Sequence, residues 1–153
     1  MHSFHIYHNV LSLFTFIVIF LGCSQHIDAR EISGSADGLV NCSTNSKDIS
    51  ASLSIAAFKN SSPLYGSWEV IINNESGDNF SNSGYLNDGN VQNNSYRLNG
   101  VETYNDICGA KTPSNVVIGG SCGSDGSIQV QTENWIGTFD GNIMCNIESN
   151  SES

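Results

Sequence analysis

Basic residues and proline are scarce in this chain of 153 residues, which has five Lys and Arg against 15 Asp and Glu and only two prolines. A formal net charge of −10 argues against nucleic-acid phosphates and anionic lipid headgroups as partners, since both are repelled. Histidine is confined to His2, His5, His8 and His26, so a domain formed after residue 30 contains none. Ser-His-Asp and Cys-His catalysis, and His-ligated zinc, all require an imidazole that such a domain lacks. A G-x-x-x-x-G-K-[ST] phosphate loop is absent, and so is a strand-then-helix setting for a dinucleotide. Past residue 30, no stretch longer than a few residues carries the 3.6-residue spacing of an amphipathic helix.

Serine (24), asparagine (19) and glycine (15) dominate instead, and these residues form turns more readily than helices. The length predicts one domain. Near the start, Val10 to Leu21 forms a 12-residue apolar run that matches the core of an export signal and is short for a membrane span. A cut after Ala29 makes residues 1–29 a signal peptide. It removes one acid, Asp28, and shifts the net charge from −10 to −9. Phe20-Leu21-Gly22-Cys23 offers a rival, a loose lipobox in which the signal ends at residue 22 and Cys23 carries lipid. Membrane association is then expected only through a signal or lipid anchor, with the protein secreted or at the cell surface.

Either cut leaves Cys42, Cys108, Cys122 and Cys145, an even number without the C-x-x-C spacing of zinc or redox sites, as expected of disulfides in an exported chain. The residues between them alternate with period 2. Ala51, Leu53 and Ile55 fall on one face of a strand whose other face is serine. Trp68, Val70 and Ile72 repeat the pattern, as do Tyr96 with Leu98, Val116 with Ile118, Ile128 with Val130, and Phe139 with Ile143. Tyr85 and Val91 are expected to point inward from a longer, bulged strand. Turn signals lie at Asp37-Gly38, Lys59 to Pro63, Asn73 to Asp78, Asn93-Asn94, Lys111 to Pro113 and Gly123 to Gly126.

The expectation is therefore an all-β domain over residues 30–147, an antiparallel meander of about eight strands closing as a β-sandwich or a flattened barrel, followed by an acidic tail, residues 148–153. Isolated glycines such as Gly84, Gly100 and Gly141 should mark bulges or bends. Strand polarity then bears on the bridges. Cys42 and Cys108 follow the first and fifth strands, and Cys122 and Cys145 close the sixth and eighth. Polarity thus favours the pairs Cys42–Cys108 and Cys122–Cys145 at opposite ends of the sheet, while the Tyr104 to Pro113 loop is long enough to swing Cys108 towards Cys122 instead.

Candidate functional residues are few. No catalytic residue, cofactor or metal is expected. Glu69 and Glu102 lie within strands, where a carboxylate pair could serve glycoside hydrolysis. Glu69 alternates onto the solvent face, whereas Glu102 points inward if Gly100 does not bulge. Asn74 to Asn79 and Asp88-Gly89-Asn90 offer oxygen donors of the kind calcium takes, but Asx-Gly turns account for the same residues. Trp135 falls on the outward face if its strand continues from Ile128, and there it could stack on a sugar or anchor a partner. If the strand instead ends at Glu133, Trp135 folds back over the core edge. Five N-x-[ST] sequons occur, of which Asn60, Asn74, Asn79 and Asn93 sit in expected loops and are glycan acceptors in a host that glycosylates; the fifth, Asn41, abuts Cys42. Gly66-Ser67-Trp68 echoes the G-x-W of lipocalins, on the third strand rather than the first.

Gly66-Ser67-Trp68, Leu98 to Thr103, Thr112-Pro113 leading to Gly120-Ser121-Cys122-Gly123, and Gly137 to Asn142 before Cys145 give the chain a pattern. Over about Glu31 to Cys145 it resembles small exported Ser/Asn/Gly-rich β-proteins of unassigned function in ammonia-oxidising archaea. The resemblance implies an extracytoplasmic location and brings no catalytic residue. A secreted or cell-surface β-module with a non-catalytic binding or envelope role is the first expectation, its partner a cell-surface glycan or protein. A lipocalin-like barrel carrying a small ligand or glycan is the second, and a carboxylate hydrolase the third.

Overall fold

The structure, a computed structural model, describes residues 30–59, 63–72, 77 and 79–146, with side chains at all of these except 30, 124 and 125. The signal segment, Cys23, Asn60, Asn74 and the acidic tail lie outside the described residues. Eight strands follow one another: β1 (Arg30–Cys42), β2 (Asp48–Lys59), β3 (Tyr65–Ile72), β4 (Ser81–Gln92), β5 (Ser95–Asn105), β6 (Ser114–Ser121), β7 (Gly123–Thr132) and β8 (Trp135–Asn146). Each pairs antiparallel with the next, and β8 returns to β1 from Glu31↔Asn146 to Cys42↔Trp135, so the sheet is a closed up-and-down barrel. Between a sandwich and a barrel, the barrel is the observed outcome, and closure leaves no unpaired sheet edge.

Alternation decides which residues fill the inside. Ala51, Leu53, Ile55 and Ala57 on β2, Trp68 and Val70 on β3, Tyr96 and Leu98 on β5, Val116 and Ile118 on β6, Ile128 and Val130 on β7, and Phe139 and Ile143 on β8 are buried. Each large side chain among them contributes roughly 1.5–3 kcal/mol by leaving water. Ile32, Ala36, Val40 and Cys42 of β1, together with Leu64, Leu86 and Trp135, complete this core. Ile72 is only half-buried, and Val91 packs against the core from its margin.

Three expectations need correction. Asp37-Gly38 is not a turn; both residues lie in mid-β1, Gly38 paired with Ala51 and Phe139. A Cβ there would stand 2.0 Å from the Thr138 carbonyl oxygen, so this glycine serves the close approach of β8 instead of a reversal of the chain. Asp37 accepts a bond from Ser52 Oγ at 2.5 Å. Gly123 to Gly126 is likewise taken into β7, with a register shift between the two glycines; the chain reverses around Cys122.

Tyr85 points outward, 47 % exposed, not inward. Register shifts between β4 and β5 occur at Ser83/Gly84 and Leu86/Asp88, and the second, which leaves Asn87 as an extra residue of β4, breaks the simple alternation that would link Tyr85 to Val91. Gly84 and Leu86 take the inward places. A Cβ on Gly84 would meet the Val101 carbonyl oxygen at 1.8 Å. Asp88 accepts from the amide of Gly89 at 2.8 Å within the second irregularity, so this triplet is bulged strand, not a loop. The Asn93-Asn94 turn is observed as expected, with φ of 52° and 63°, the left-handed pair that a two-residue hairpin requires.

Strand polarity places Cys42, Asn105, Ser114 and Trp135 at one pole and Arg30, Gln92, Cys122 and Asn146 at the other. Cys42 is bonded to Cys108 and Cys122 to Cys145, each with Cα atoms 5.6 Å apart, the pairing that polarity predicts. Their sequence separations are 66 and 23 residues, so chain-entropy arguments give about 4 kcal/mol for the first and about 3 kcal/mol for the second. In urea unfolding, C42A/C108A should therefore lose more stability than C122A/C145A. Gly84→Ala should cost about 2 kcal/mol or more in the same measurement, because the added methyl group meets the β5 backbone at Val101 and Glu102.

Candidate functional site

The two residues singled out for binding, Glu102 and Trp135, are brought together, but on the inside. Gly100 pairs regularly with Leu86 and Val116, so β5 keeps its alternation and turns Glu102 inward. Strand β7 ends at Thr132, Glu133 and Asn134 make the connection, and Trp135 opens β8 as an inward residue. Thr132 Oγ1 fixes this reversal by accepting from the amides of Asn134 and Trp135, each at 3.0 Å. Both Glu102 and Trp135 are 0 % exposed. Of the two readings of Trp135, the fold-back over the core edge is the observed one: the chain reverses before it, and the alternation counted from Ile128 does not reach it.

The Trp135 indole Nε1 donates to Glu102 Oε2 at 2.6 Å, and Asn105 Nδ2 donates to Oε1 at 2.8 Å. Asn105 Oδ1 in turn accepts from the Cys108 amide at 3.0 Å, and Asn82 Oδ1 from the Ile107 amide at 2.9 Å. A continuous set of bonds thus runs from the barrel interior through the carboxyl group to the Asp106–Pro113 connection, which the Cys42–Cys108 bridge ties to β1. The Trp68 ring packs beside it, its centroid 6.1 Å from that of Trp135 at 48°. This arrangement stoppers one pole and presents neither indole nor carboxyl group to solvent.

Burial pushes the Glu102 carboxyl above its usual range, while the donors on Trp135, Asn105 and Asn134 pull it partly back. Glu69, the other candidate acid, lies on the outer face and is half-exposed, so the two carboxylates are separated by the barrel wall. Tyr96 is also buried, and burial pushes its hydroxyl up to about 12. Among the described residues, the Tyr96 hydroxyl, Trp68 Nε1 and Asn82 Nδ2 are buried without a hydrogen-bond partner. Also among the described residues, no three His, Cys, Asp or Glu side chains stand close enough to hold a metal ion. Asn79 and Asn93 are exposed, whereas Asn41 lies within β1.

Concave surface lies on the outside. Over β2–β4 an open groove of about 610 Å³ is lined by Phe58, Pro63, Leu64, Tyr65, Tyr85 and Asn87 above Ala56 and Ser67. It shares Ala56 and Ser67 with an adjoining hollow of about 390 Å³, whose outer side chains include Ser54, Glu69 and Ser83. Strand register explains the order. Phe58 faces Tyr65, Ala56 faces Ser67 and Ser67 faces Tyr85, and Ser54 faces Glu69, which faces Ser83. The Phe58 and Tyr65 rings lie 5.9 Å apart at 34°. Across the barrel, a second groove of about 600 Å³ carries Arg97, Gln129, Gln131 and Ile136. Sequence reasoning missed the first groove because it assigned Tyr85 to the core; Tyr65 and Phe58 were legible as outward neighbours of β2 and β3, but carried no motif.

No family model, curated protein or solved structure matches the chain.

Glu102 has a testable consequence for pH. Its folded pKa lies above the unfolded value, so folding favours the protonated form; its contribution is fully present below the unfolded pKa and is lost as pH rises through the folded one. Glu102→Gln, which stays neutral, should therefore gain on the wild type from pH 4 upward, read as the difference between their urea midpoints at each pH.

Proposed function

We propose that this chain is an extracytoplasmic binding module that meets its partner through the outer wall of a filled barrel and performs no catalysis. One observation carries the reading: the interior that a carrier would need open is occupied by Trp68, Trp135, Phe139 and Leu53, each at most 2 % exposed, while the grooves lie outside. Recognition sites are concave and mix apolar surface with a few polar groups, and the wall over β2–β4 fits that description. Two disulfides suit an oxidising compartment. Chemistry finds little support. The folded domain has no histidine, and its two strand acids, Glu69 and Glu102, face opposite sides of the wall.

A second reading, a lipocalin-like barrel holding a small ligand inside, draws on the unpaired buried donors of Trp68 and Tyr96. A ligand with acceptor atoms would satisfy them. The two readings separate on titration of the oxidised protein with the neutral fluorophore N-phenyl-1-naphthylamine, followed by tryptophan quenching. A filled module should show no saturable uptake, and fluorescently labelled protein should bind saturably to envelopes of the producing cells. Uptake of one probe per barrel, with quenching of the two tryptophans, would replace the module by the carrier.

A further inference from the structure

We infer that the outer groove over β2–β4 is a carbohydrate site for a neutral pyranose oligosaccharide, an assignment that rests on the binding-module reading. Its two sections differ in chemistry along one line. At one end stand aromatic faces: Tyr65 is 56 % exposed and Tyr85 47 %, and Phe58 braces Tyr65 from the neighbouring strand. At the other end, one cross-strand row carries Ser54, Glu69 and Ser83, two hydroxyls and a carboxylate. Successive rows on one face are two residues, roughly 7 Å, apart along the strands. An aromatic section thus leads into a hydrogen-bonding one over a distance suited to a short sugar chain.

A pyranose with mainly equatorial hydroxyls has that same duality, a C–H face that packs on an aromatic ring and a hydroxyl rim that donates to carboxylates and hydroxyls. Other ligand classes fit less well. Among the described residues no Lys or Arg lines either section, and Glu69 is there instead, so phosphorylated, sulfated or uronic ligands would meet like charge. A fatty chain would gain little, because an open groove leaves one side of it in water. Exposed tyrosines cost little entropy to order and offer both a ring and a hydroxyl. The small floor residues Ala56 and Ser67 let a ligand approach the sheet between the rings.

The assignment is tested by isothermal titration of the oxidised protein with cellohexaose, mannohexaose and chitohexaose, with hexagalacturonate as the charged comparison and with displacement of labelled protein from producing-cell envelopes. At least one neutral oligosaccharide should bind saturably and displace the protein. Tyr65→Ala and Tyr85→Ala should each weaken that binding about tenfold, Glu69→Ala by a similar factor, while Ile136→Ala on the far wall leaves it unchanged. Absence of saturable binding to all three neutral sugars overturns the assignment. So does binding that survives both tyrosine variants, or binding of hexagalacturonate alone, which would point to the groove of Arg97. If envelope binding persists through any of these, the module reading stands and only the carbohydrate assignment falls. Uptake of one N-phenyl-1-naphthylamine per barrel, by contrast, removes the module reading and the carbohydrate assignment with it.

Discussion

Everything in this molecule depends on the pairing of its first strand with its last. The twelve register partners between β1 and β8 turn a meander with two raw edges into a wall with an inside and an outside. Without that seam, Trp135 and Glu102 would lie on one face of an open sheet, and a buried carboxyl group would have no reason to exist. With it, half of each strand is committed to a shared core, and the other half is left to face water. The seam itself needs glycines: at Gly38 the opposing carbonyl group occupies the space where a side chain would sit.

The closed wall also sets how the two candidate regions divide their roles. At the disulfide-bonded pole, the Glu102 carboxyl group holds an indole and an amide, and through Asn105 it reaches the backbone beside Cys108. A buried acid in such a position is costly and is tolerated because each oxygen has a donor. It does structural work in orienting a connection and two aromatic rings. On the outer wall the position is reversed, with aromatic rings exposed and little to hold them in place except their neighbours. Groups that would be expensive to leave unmatched inside are cheap to present outside, and it is there that a partner can reach them.

How much of this was legible in the residues follows from period-2 alternation. Where it runs unbroken, as in Ala51 to Ile55 or Val116 with Ile118, sequence names the buried face correctly, and the strand count and cysteine polarity follow from it. Tyr85 escaped because one extra residue in β4, Asn87, shifts the phase, and a bulge is a property of the β4–β5 pair rather than of either strand alone. Asp37-Gly38 misled because a glycine demanded by a neighbouring backbone resembles a glycine demanded by a turn. Trp135 was ambiguous by one residue: the whole difference between an outward anchor and an interior ring lay in whether the chain reversed at Glu133 and Asn134. The outer groove left no signature, since a row of serines beside a tyrosine is ordinary in any one strand and gains meaning only when three strands are laid side by side.

Because Glu31 lies opposite Asn146, the chain enters and leaves the barrel as adjacent threads at a single rim. Such a body behaves as a bead on a loop: it can be set into or removed from a longer polypeptide without prising the host apart, since the gap it spans is one strand spacing, about 5 Å. Any leash on either side pulls at the same rim. The opposite cap, sealed by Cys42–Cys108, is then the part of the bead that swings free.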